Sequence, residues 1–282
     1  MEKDPAEQRL EDRRQSYDRE GISAPDERRI AERRGSGISS LFAANHPSDR
    51  NFFAGFVLLC WLGVLVGFFP AISGRMAGRA DYAAPVILQL HVFSYVGWLL
   101  LLTIQVLLVR TAQQSVHRRL GLLSFALIPV MVLSALFSEV YSQRFYLDHP
   151  PDSLDFFIIP IWYVIGFGLL AIEAVAHRRD PPAHKRLIVL ATAVIVGAAY
   201  ARWWGDGLES VFGDGYTGML IHSYTGTTLL LLALMGYDLW SRGTIHRAYR
   251  WGVPFILAGE VGTTIIYHSP GWLPVARMIV GR

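Results

Sequence analysis

Seven long apolar stretches, separated by short polar connections, constrain this chain more than any other feature. They lie near residues 52–72, 84–109, 119–142, 156–176, 185–204, 218–240 and 250–268. A helix rises about 1.5 Å per residue, so each stretch is roughly long enough to cross a hydrocarbon core of about 30 Å. In lipid the backbone must satisfy its own hydrogen bonds. The pattern therefore predicts an all-α fold, a polytopic bundle of seven transmembrane helices. Composition agrees: 17% of residues are charged, where a soluble chain carries about a quarter.

The charge that exists is crowded at one end. The first fifty residues hold 10 of the 26 Lys and Arg and 11 of the 23 Asp and Glu. This predicts a charged, disordered cytoplasmic tail over residues 1–50 and a seven-helix transmembrane domain over 51–282. The tail carries the pairs Arg13-Arg14, Arg28-Arg29 and Arg33-Arg34 but no apolar run after a short basic start, so it does not read as a cleavable signal peptide. Cys60 is the only cysteine, which excludes an intrachain disulfide and a cysteine-based metal cluster.

Orientation follows from the connections. Those near 110–119, 177–186 and 241–250 carry Arg110, Arg118, Arg119, Arg178, Arg179, Lys185, Arg186, Arg242, Arg247 and Arg250. The opposite connections carry Arg75, Arg79, Arg144 and Arg202 and gather Asp148, Asp152, Asp155, Asp206, Glu209 and Asp214. The positive-inside rule then places the N-terminus in the cytoplasm and the C-terminus outside. The sequence pI near 9.1 is explained by these loops, since no basic groove with interleaved aromatics suggests nucleic acid. The expected partners are the lipid bilayer and a membrane partner or second copy.

Three basic motifs each open an apolar stretch: His117-Arg118-Arg119-Leu120-Gly121, His184-Lys185-Arg186-Leu187 and His246-Arg247-Ala248-Tyr249-Arg250-Trp251-Gly252. They mark three hairpins turning on one side, where Lys and Arg snorkel to the headgroups. The first, together with Pro182-Ala183-His184-Lys185-Arg186-Leu187, resembles bacterial multi-pass membrane proteins of uncharacterised function. The resemblance covers helices two to five and parts of the last hairpin. It implies a bacterial inner-membrane location and topology, and carries over no catalytic residue.

Local signals add detail. Pro70 is expected to end the first helix, and Pro129 and Pro160 to kink the third and fourth. Trp203-Trp204-Gly205-Asp206-Gly207 reads as an outer interface and turn. Asp148-His149-Pro150-Pro151-Asp152 reads as a Pro-stiffened acidic connection, and Ser269-Pro270-Gly271-Trp272-Leu273-Pro274 as a break before a short terminal segment.

Ionisable groups inside spans are costly and point to function. On the predicted topology His91, His222, Glu139, Arg202 and His268 fall in the outer half of five helices, with Glu260 near the middle of the seventh. His91, Ser94, Trp98 and Gln105 share one helix face, and Glu260, Thr263, Thr264, Tyr267 and His268 another. Such stripes face the bundle interior. Four readings use these residues. In one, the groups only bond helices together, with Arg202 neutralising Glu139 or Glu260. In another, His91 and His222, at matched depth, hold a b-type haem for redox chemistry. A third is a zinc hydrolase with His91, His222 and His268 as ligands and Glu139 or Glu260 activating water. It resembles the seven-helix hydrolases of the ceramidase and adiponectin-receptor type in helix count, although helix seven offers only His268 and no His-x-x-x-His pair. The fourth is transport or proton movement along Glu260, His222 and Arg202. No lysine in helix seven could form a retinal Schiff base. No nucleotide-binding fingerprint is present.

Overall fold

A computed structural model describes residues 42, 46–147 and 154–281. Most of the predicted tail, and the Asp148-His149-Pro150-Pro151-Asp152 connection, lie outside them. The chain divides into the units Met1–Ala44 and Asn45–Arg282, and the second carries the helices described below.

Those helices are α1 (Asp49–Met76), α2 (Val86–Arg110), α3 (Gln114–Gly121), α4 (Ser124–Leu147), α5 (Ile158–Ala176), α6 (Pro181–Phe212), α7 (Tyr216–Arg242), α8 (Arg247–Tyr267) and α9 (Trp272–Val280). A 3-10 turn at Leu154–Phe157 leads into α5, and no strand occurs among the described residues. Six segments are long and apolar enough to cross a membrane: α1, α2, α3 with α4, α5 with its 3-10 turn, α6 and α7. Their outward faces expose large apolar side chains such as Leu58, Leu65, Phe69, Phe93, Leu169 and Leu232. In water a patch this extensive would drive association, whereas in lipid it costs nothing. This is a multi-pass membrane protein.

Three local expectations are corrected. Pro70 lies inside α1, which continues to Met76. The His117-Arg118-Arg119-Leu120-Gly121 motif forms its own short helix, separated from α4 at Leu122 and Leu123. The Trp203-Trp204-Gly205-Asp206-Gly207 stretch is helical, because α6 runs on to Phe212 and ends at Gly213, with φ of 74°. Glycine inside a helix lowers propensity without forbidding helix, and here Tyr200, Trp203 and Trp204 stack along one face.

Helix α6 is the axis of the packing, lying against α1, α5, α7 and α8. Small residues let its neighbours come close. A Cβ added at Gly67 would meet the Ala199 carbonyl, and one at Gly197 would meet Thr227 Oγ1. Without a hydrophobic driving force between helices in lipid, such close approach and interhelical hydrogen bonds supply the association. Trp98 Nε1 donates to Thr192 Oγ1 (3.1 Å), and Tyr200 OH to the Leu59 carbonyl (2.8 Å). The α6 N-terminus is capped by Asp180, which accepts from Ala183 N (3.3 Å) ahead of Pro181 and Pro182.

Candidate functional site

Two polar layers lie at different depths. The first sits at the basic ends of the helices. Arg186, from the second basic motif, turns inward to Asp238 near the end of α7: its Nε reaches Asp238 Oδ2 at 2.8 Å, and its Nη2 bonds Oδ1. Both side chains are 1% exposed. Arg186 Nη1 also donates to the Pro182 carbonyl (2.9 Å), and the His246 backbone N–H donates to Asp238 (3.1 Å). Beside this pair, Asp49 at the start of α1 accepts from Lys185 (2.6 Å), Tyr237 (2.6 Å) and Arg242 (2.8 and 3.0 Å). Four helices are thereby joined at one end through two carboxylates. The outermost member is Asp180–Arg247 (2.7 Å), which is solvent-facing.

His246 caps α8 by accepting from Ala248 N through Nδ1 (3.1 Å), which requires a neutral ring. Burial, and then the Arg186 charge, hold it down at about 4. Beside this layer His184 Nδ1 bonds the Ala174 carbonyl (2.7 Å). The Gln105 amide and His117 Nδ1 are buried without a hydrogen-bond partner.

The second layer holds the residues singled out from the sequence. His91, partly buried on α2, holds its ring 4.2 Å from that of Tyr95 and tilted to it by 50°, and its Nδ1 is buried without a partner. Glu139 on α4 accepts from Gln143 Nε2 (2.8 Å). Arg202 on α6 donates to the Ala198 carbonyl (3.0 Å) and lies 4.9 Å over the Phe68 ring, and its charge acts on both His91 and Glu139. The structure thus brings these three into one electrostatic neighbourhood from three helices. Glu260 is 3% exposed within α8, on one face with Thr263 and Thr264, and its charge acts on Tyr163 and Tyr224.

His222 and His268 lie apart from that neighbourhood. His222 Nδ1 is 3.4 Å from Ser223 Oγ, and the charges acting on it are Glu209 and Asp206. Its helix, α7, shares no extensive interface with α2, so the structure does not join it to His91. His268 uses both ring nitrogens on backbone carbonyls, Nδ1 on Thr264 (2.9 Å) and Nε2 on Asp214 (3.1 Å). Among the described residues no group of three His, Cys, Asp or Glu side chains could hold a metal ion.

Sequence reasoning missed the basic-end layer. Lys185, Arg186 and Arg242 were expected at the headgroups, yet they turn into the protein. The available signal was Asp238, an isolated acid in the last turns of an apolar helix, where it needs a cation. A second difference separates the layers. Ion pairs gather at the basic end, whereas Glu139, Arg202, Asp206, Glu209, Asp214 and Glu260 join none with a described residue. No family model, curated protein or solved structure matches this chain.

Proposed function

We propose that this is a transport-type bundle of a bacterial inner membrane, with α8 as the seventh span, the N-terminus in the cytoplasm and the C-terminus outside. The cytoplasmic end is sealed by ion pairs, and the polar groups of the outer half serve a path entered from outside. One observation carries the reading: ion pairs join the helices at the basic end, while Glu139, Arg202, Asp206, Glu209, Asp214 and Glu260 form none with a described residue. A bundle that merely packs would place its acids and bases opposite one another at both ends, since an uncompensated charge in a span is expensive.

Side-specific labelling tests it. In a Cys60→Ala background, single cysteines replacing His222 and Glu139 should react with a membrane-impermeant maleimide added outside. One replacing Leu234, buried in the core at 0% exposure, should resist reagent from either side. Equal protection of all three would leave a packed scaffold and end the transport reading.

A second reading is a b-type haem with His91 as an axial ligand, with redox activity. It is favoured by the buried Nδ1 of His91, which no hydrogen bond uses. Purified protein from haem-supplied cells should then show a Soret band that shifts on reduction and is lost in His91→Ala. A colourless preparation removes this reading.

A further inference from the structure

Glu260 differs from every other acid in the bundle. It is 3% exposed near the middle of α8, and its carboxylate makes no hydrogen bond or ion pair with a described residue. Its backbone carbonyl, by contrast, is fully used, accepting from Thr263 and Thr264 at 3.1 and 2.8 Å.

The surroundings are polar at a few points but uncharged. From α5, Tyr163 donates its hydroxyl to the Ser223 carbonyl (2.6 Å). From α7, the Tyr224 hydroxyl is paired with Thr263 Oγ1 (2.6 Å). From α6, the Arg202 charge reaches Tyr163, yet no charged group from α5, α6 or α7 acts on Glu260 itself. The adjacent Gly259 lies against the Trp162 indole so closely that an added Cβ would overlap the ring. Two open pockets lie elsewhere: one between α1 and α7 beside Phe52 and Trp240, the other at the end of α6 beside Asp206 and Glu209.

An ionised carboxylate without a counter-charge in such a place is held only at a cost of many kcal/mol, and such groups neutralise instead. A metal ion would need several oxygen or nitrogen ligands, and an ammonium group would need a cavity. Among the described residues no group of three His, Cys, Asp or Glu could hold a metal ion, and neither pocket reaches Glu260. The smallest cation remains. We propose that Glu260 is a proton-binding site, its carboxyl group neutral while buried in the bundle and ionised when the outer half opens to water. In that step the carboxyl O–H bond breaks, the proton passes to water reached from the outer face, and the carboxylate keeps the electron pair. The return step reverses it. This rests on the transport reading and names the proton as a ligand of that site.

Infrared difference spectroscopy of the full-length protein in lipid vesicles tests it directly. Spectra taken between mildly acid and alkaline buffer should contain a protonated-carboxyl C=O band that disappears at alkaline pH and shifts in heavy water. Glu260→Gln should abolish it. Glutamine has the shape of the neutral carboxyl group, so this variant should elute and unfold like the parent. Tyr224→Phe leaves Glu260 in place and should move the band without removing it. Absence of the band in the parent protein, or its survival in Glu260→Gln, overturns the proposal. The cysteine-labelling pattern is read independently of this band. A Glu260 failure therefore leaves that pattern standing, and a labelling failure leaves the band.

Discussion

The Arg186–Asp238 pair shows what a single buried contact does in this protein. Burying two charges costs several kcal/mol per ion, repaid only when geometry is good and the remaining donors and lone pairs are filled. Here the pair is doubly bonded, Arg186 also reaches the Pro182 carbonyl, and Asp238 also takes the His246 N–H. The contact sets how far α6 and α7 slide past one another. His246 then couples this layer to pH. Burial first, and Arg186 second, lower it from 6.5 to about 4. As pH falls below about 6.5 the unfolded chain takes up this proton before the folded one. Stability is therefore lost progressively between 6.5 and about 4, and through this group no further below that. His246→Asn keeps a side-chain acceptor for the α8 N-terminus. Its thermal midpoint should depend less on pH across that window than the parent's. Parallel curves for the two proteins would remove His246 as the cause.

Among the elements, α3 is the least comfortable. It joins α2 through Ala112, whose φ of 59° is the sole positive value at a non-glycine among the described residues. The other turns of this kind, at Gly78, Gly213, Gly243 and Gly281, use glycine. A Cβ in the left-handed region costs roughly 1–2 kcal/mol. None of the α3 residues is buried, and its own His117 Nδ1 and the Gln105 amide of α2 lack partners. Ala112→Gly should therefore stabilise the protein by about 1 kcal/mol, offset in part by the freer unfolded chain. The change would be read as a higher unfolding midpoint in detergent. A lower midpoint would show that the Ala112 methyl contributes packing worth more than the strain it brings.

For the molecule as a whole, topology decides between six and seven spans. With the N-terminus in the cytoplasm, six crossings return the C-terminus there, and a seventh through α8 places it outside. A C-terminal alkaline phosphatase fusion should be active, and the corresponding fusion to a fluorescent protein that matures only in the cytoplasm should be dark. A bright fusion would make α8 a helix that packs on α5, α6 and α7 without crossing. Its Arg250 and Glu260 explain why composition alone leaves it outside the six apolar segments.

What the sequence by itself determined is local in origin. Hydropathy summed over about twenty residues found the spans, because lipid removes the solvent that would otherwise satisfy a backbone. Period-3.6 stripes put Ser94, Trp98, Glu260, Thr263 and Thr264 on interior faces, and all five are buried. Helix ends were less legible. Pro70 and the Gly205-Asp206-Gly207 stretch looked like stops, but α1 and α6 continue through them to Met76 and Phe212. Only the tertiary structure decided which charges meet. Asp49 joins Arg242 across 193 positions and Lys185 across 136, and Arg186 finds Asp238 across 52. The same tertiary packing set His91 apart from His222 and left Glu260 without a counter-charge. A side chain's preference for lipid or water is its own property. A charge's partner depends on where another helix happens to lie, and no pattern along the chain records that distance.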